Sequence, residues 1–146
     1  MVDLQLIQSK IYEIREQRVM LDFDLAQMYG TETKVLKQAV KRNIKRFPTD
    51  FMFELNKEEF EFLRSQFVTS NQRGGTRYMP FAFTEQGVAM LSSILNSEVA
   101  IEINISIMRA FIAVRQLIAN PPPDKHSLLQ KEVKELKQYI EEIFTD

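Results

Sequence analysis

The chain has no cysteine and a single histidine among its 146 residues. Without cysteine there is no disulfide framework and no thiolate for catalysis or zinc. The one histidine, His126, sits beside three consecutive prolines with no nucleophile to activate. No run approaches the ~20 apolar residues that span a bilayer, and the opening MVDLQLIQSK lacks the basic-then-apolar order of a secretory signal. We therefore expect a protein of the reducing cytoplasm with no membrane partner. No cofactor, metal or catalytic centre is expected. A weaker third reading, a magnesium-dependent nuclease, stays open only because acids distant in sequence can converge. The length suits one sizeable core with an appended element.

The net charge of −1 also lacks the basic excess of many nucleic-acid binders. The charge is segregated, however. Between Lys34 and Arg46 there are six bases and no acid, whereas 48–61 carries Asp50, Glu54, Glu58, Glu59 and Glu61 against Lys57. A phosphate backbone responds to such a local field, not to the whole-chain balance.

The stretch from Val19 to Asp50 organises the chain. A short helix is expected from Asp22, with Asp22 as its cap, through Leu25, Ala26, Met28 and Tyr29 to a break at Gly30. A second helix, capped by Thr31 or Thr33, should run to about Arg46, stopped by Pro48. Two helices joined by a glycine turn outline a helix-turn-helix. At about 100° per residue, Leu36, Ala39, Val40, Ile44 and Phe47 form one face of the second helix. Lys34, Lys37, Gln38, Lys41, Arg42 and Lys45 form the other. A major-groove helix needs this division: cations for phosphates, amide and guanidinium groups for base edges, an apolar back for the domain. Ordinary solvated helices carry lysine too, but they mix both signs.

The remaining elements frame that pair. Ile11–Arg15 and Arg18–Leu21 read as a hairpin turning at Glu16-Gln17, and Phe51–Leu55 as a strand with Phe51, Phe53 and Leu55 on one face. Asn56 and Glu59 make a capping box for a helix burying Phe60, Leu63 and Phe67. Residues 67–83 read as a second hairpin with Gly74-Gly75 at its tip and Thr76–Phe83 returning; Arg73 and Arg77 would let it act as a wing. Thr84 caps a helix over Glu85–Leu95 in which Gly87 implies a close neighbour. After Ser97 a long, mostly buried helix is expected with Ile101, Ile105, Met108 and Ile112 inward. Pro121–Pro123 form a linker. Beyond it Leu129, Val133, Leu136, Ile140 and Ile143 recur at alternating spacings of four and three, a coiled-coil seam.

The blocks IYEIREQRVMLDFDLAQMYG, VKRNIKRFPTDFMFEL, RSQF and FAFTEQGVAMLSSILNS, in this order over roughly 5–118, closely resemble the phage "ORF six N-terminal" domain, a relative of the KilA-N and Bro-N groups. Members commonly have glycine where this chain has Glu16. The resemblance implies a prophage-type DNA binder with an antirepressor-like role, and it assigns no base contacts.

The sequence thus predicts an α+β fold: a winged-helix-like helix-turn-helix domain with small hairpins, then a long helix and a coiled-coil-like C-terminal helix. The expected divisions are a DNA-binding domain over 1–119, a proline linker over 120–125 and a self-association segment over 126–146. Lys34, Lys37, Lys41, Lys45 and Arg46 are expected on phosphates, with Thr33, Gln38 and Arg42 on base edges and Arg73 and Arg77 on flanking backbone. Double-stranded DNA and a second copy of the chain are the expected partners, in the cytoplasm of a bacterial host and on its nucleoid when bound. The alternative is a protein-interaction module, an antirepressor gripping a repressor protein directly.

Overall fold

Val19, Met20 and Leu21 are all fully buried, which consecutive strand residues achieve only when both faces of their sheet are covered. They belong to a four-stranded antiparallel sheet at the centre of the first of two compact units, 1–112 and 113–146. The computed structural model describes residues 4–66, 79–119 and 125–144. In chain order the first unit holds α1 (Leu4–Gln8), β1 (Tyr12–Ile14), β2 (Gln17–Leu21), α2 (Asp22–Tyr29) and α3 (Thr33–Arg42). A 3-10 turn (Ile44–Arg46), β3 (Met52–Glu54), α4 (Lys57–Gln66), β4 (Phe81–Thr84) and α5 (Glu85–Leu95) follow. The long helix α6 (Glu98–Ala119) begins in this unit and ends in the second, which also holds α7 (Lys125–Phe144). The mixed helix-and-sheet architecture is the expected α+β class.

Strand order is β1-β2-β4-β3. The register sets Met20 beside Phe83 and Phe83 beside Met52, a ladder on one face; Leu21, Ala82 and Phe53 form the matching ladder on the other. The first ladder meets Leu25, Leu36, Val40, Val88, Leu91 and Ile107 from α2, α3, α5 and α6. The second is covered by Phe60 and Leu63 of α4, with Leu55. The basic helix is therefore seated on one face of a sheet held from both sides.

Several local expectations hold. Glu59 N–H donates to Asn56 Oδ1 at 2.7 Å and Asn56 N–H to Glu59 Oε1 at 2.9 Å, the reciprocal capping box. Thr84 Oγ1 accepts from Gly87 N–H at 3.3 Å at the start of α5. A Cβ at Gly87 would lie 1.9 Å from the Phe51 carbonyl oxygen, so the helix approaches the backbone just before β3 as closely as only glycine permits. The first hairpin forms too, but its turn residues are Arg15 and Glu16, at φ +54° and +62°. Both central residues at positive φ define a type I′ turn, here made without glycine. Arg15 is held by Glu59 at 2.7 and 3.0 Å and stacks 4.2 Å over the Phe53 ring.

The expected second hairpin lies outside the described residues over 67–78, with Arg73, Arg77 and Phe67; the end of its returning strand is β4, which pairs with β2 on one edge and β3 on the other. Two expectations are corrected. Phe51 precedes β3 and is only half-buried. The long helix exists, but α6 buries Ala100, Asn104, Ile107, Ala110 and Phe111, while Ile101, Ile105 and Ile112 are exposed. Asn104 is the polar link from α6 to α2 and α5. Tyr29 donates its hydroxyl hydrogen to Asn104 Oδ1, and Asn104 Nδ2 donates to the Val88 carbonyl at 3.1 Å. Burial raises the Tyr29 phenol above its ordinary pKa, so it stays a donor.

Candidate nucleic-acid interface

The turn between α2 and α3 works as the sequence implies. Gly30 takes the left-handed conformation at φ +74°, and Thr31 N–H returns to the Ala26 carbonyl at 2.9 Å. The helix starts are corrected. Leu21 occupies the cap position of α2 and Glu32 that of α3, neither with a side-chain cap, so Asp22, Thr31 and Thr33 do not cap. Asp22 is 1% exposed and turns inward, its Oδ2 accepting from Phe81 N–H at 2.9 Å.

Lys37 departs most from its expected place. Its ammonium lies 3.4 Å from Asp22 Oδ2, donates to the Met79 carbonyl at 2.9 Å and sits 4.8 Å over the Phe81 ring. The side chain is only 16% exposed. Lys37 therefore clamps α3 to the start of α2 and the entry to β4, with its charge turned to Asp22. On the helical wheel it borders the apolar face, nearer Val40 than any other base is. That border position was the readable sign.

α3 is also shorter than expected. Asn43 ends it, its Nδ2 donating to the Ala39 carbonyl at 2.8 Å, and Lys45 and Arg46 lie on the 3-10 turn that follows. Ile44 consequently leaves the apolar face and is 52% exposed, while Phe47 returns to the core edge-on to Phe83 at 5.9 Å. Leu36 and Val40 are fully buried beneath the helix.

What remains outward is Lys34, Gln38, Lys41, Arg42, Lys45 and Arg46, all exposed, with Thr33 half-buried. Arg46 Nη1 donates to Ser93 Oγ of α5 at 3.2 Å. Val35 is 48% exposed two turns before Arg42 on the same side. Sequence reasoning passed over Val35 and turned Ile44 inward. Val35 could have been found from its place on the wheel, beside Arg42, but Ile44 could not until the end of α3 was known.

Asp24, in the first turn of α2, is 5% exposed and its Oδ2 has no hydrogen-bond partner. Lys10 Nζ stands 3.9 Å from its other oxygen. Burial, resisted by Lys10 and reinforced by Asp22, pushes its pKa up to about 6. Burial raises Asp22 as well, against the pull of Phe81 N–H and Lys37. Among the described residues no three His, Cys, Asp or Glu side chains are grouped to hold a metal ion. No described helix is long and apolar enough to cross a membrane.

Fold and site define an α+β domain that presents a basic helix as the second member of a helix-turn-helix. The model of the ORF6N domain matches residues 9–94, more than half the chain, and the protein belongs to that phage-type family. No curated protein and no solved structure matches the chain. The matched range runs from the end of α1 to α5 and so includes the whole sheet and both helices of the pair.

Proposed function

We propose that the protein binds double-stranded DNA as a phage-type regulator in the cytoplasm of a bacterial host, without catalysis. The observation that carries this reading is the outer surface of α3 and its following turn: five exposed cations and Gln38, with no acid between Lys34 and Arg46. Lys34, Lys41, Lys45 and Arg46 meet phosphates. Thr33, Gln38 and Arg42 face base edges, and Val35 supplies an apolar contact of the kind a thymine methyl takes. Lys37 is reassigned to seating the helix. Arg73 and Arg77 keep their assignment to the flanking backbone.

The exposed Ile101, Ile105 and Ile112 on α6 favour a second reading, an antirepressor that grips a repressor protein. Selection from a random duplex library at physiological salt separates the two. The control is a Lys34→Glu, Lys41→Glu, Arg42→Glu triple variant, which leaves the Lys37 clamp intact. An enriched motif that the variant loses supports DNA readout. Absence of enrichment, or enrichment the variant retains, overturns it in favour of the protein partner.

A further inference from the structure

The helix α7 has an apolar seam in water. It runs 20 residues, about 30 Å at the usual rise, and every side chain from Gln130 to Ile143 is exposed. Val133, Leu136, Ile140 and Ile143 are 45–60% exposed. In proteins a helix gains most of its stability by burying such a face.

The sequence register says against what. The spacing of four and then three from Leu129 fixes Val133 and Ile140 at the a positions of a heptad, and Leu129, Leu136 and Ile143 at the d positions. β-Branched residues at both a positions, with leucine at two of the three d positions, favour two parallel strands over three or four. The flanking charges agree. Glu132 falls at g and Lys137 at the next e, five residues on. These two positions meet across a parallel, in-register pair, where Glu132 of each chain reaches Lys137 of the other. In an antiparallel pair g faces g and e faces e, and that match is lost. Positions away from the seam are polar: Lys131, Lys134, Glu135, Gln138, Glu141 and Glu142.

From this pattern we infer that α7 is a parallel, in-register two-stranded coiled coil whose occupant is a second copy of this chain. The interface is isologous, so the Glu132–Lys137 match occurs twice. The first unit precedes α7 in sequence, so in a parallel pair both chains enter the coiled coil at the same end. The pairing stands independently of what α3 reads.

The test uses the full chain in sedimentation equilibrium over a concentration series. The wild-type protein should sediment at twice its 17.1 kDa mass at the upper concentrations. Glu132→Lys and Lys137→Glu each replace two attractions with two repulsions and should each weaken the dimer roughly tenfold. The double variant Glu132→Lys, Lys137→Glu should recover wild-type association. Both sites are exposed, so the folded units are untouched. Because the chain lacks cysteine, Ile143→Cys provides one thiol per protomer. A d position near the end of a parallel pair should close a disulfide with its counterpart on mild oxidation. A monomer at all concentrations, a dimer indifferent to the charge exchanges, or a dimer without the cross-link would each overturn the proposal. A failed duplex selection would leave these readouts unchanged.

Discussion

Glu16 and Asp24 each hold a conformation or a charge that an ordinary residue resists. Glu16 sits at φ +62°, where an L side chain crowds its own carbonyl, at a cost of roughly 1–2 kcal/mol relative to glycine. Glu16→Gly should therefore raise stability by about 1 kcal/mol in urea unfolding. No gain would mean that the side chain makes a compensating contact. Asp24 acts through its proton. The folded state holds that proton more tightly than the unfolded chain, whose pKa is 3.8, so its contribution favours folding at low pH. That contribution is lost as pH rises towards about 6. Between pH 5 and 7 the wild-type protein should lose about 1 kcal/mol that Asp24→Asn keeps. Parallel pH profiles for the two proteins would remove Asp24 as the cause. Glu59, lowered by Arg15, has the opposite sign and loses its contribution only below its ordinary range, outside this window.

At the scale of the element, α3 separates two kinds of lysine. Lys37→Ala leaves Asp22 buried without its cation and should destabilise the fold by about 3 kcal/mol, read as a lowered urea midpoint. Lys41→Ala, on the exposed side, should leave the midpoint in place and reduce the salt slope of duplex binding by about one unit. If both variants behave alike, the division between clamp and contact is wrong. The sequence revealed the starts of α4, α5 and α6 and the end of α2, because Asn56 with Glu59, Thr84, Ser97 and Gly30 carry local signals that need no knowledge of the rest. For Lys37 it offered only the border position on the wheel, because the partners Asp22 and Met79 are brought together by the fold. The buried face of α6 was hidden for a related reason. Periodicity gives most weight to isoleucine, yet the buried side of α6 carries Ala100, Asn104, Ile107, Ala110 and Phe111, and Ile101, Ile105 and Ile112 stay exposed.

At the scale of the molecule, both hydrophobic clusters draw their buried residues from Ile7 to Phe111, inside the first unit. A chain ending at residue 119 should therefore unfold at the temperature of the full protein. If the coiled coil joins two copies, the same truncation should abolish dimer sedimentation and weaken binding to a two-site duplex far more than to a single site. A truncated protein with a markedly lower melting temperature would show that the second unit supports the first. The segregation of acid and base was legible in the sequence. The strand order was not, since β4 finds both of its partners far back in the chain.

That strand order has a consequence for synthesis. β4 is the last strand to emerge from the ribosome, yet it occupies the middle of the sheet, between β2 and β3. Its first residue, Phe81, donates the backbone hydrogen bond that Asp22 accepts, 59 residues upstream. While the chain grows, the helix pair is complete in sequence long before its seat exists. A growing chain therefore lacks the central strand beside Met20, Leu21 and Phe53 until Phe81–Thr84 are made, and Val88, Leu91 and Ile107, which complete the cover of Met20, come later still.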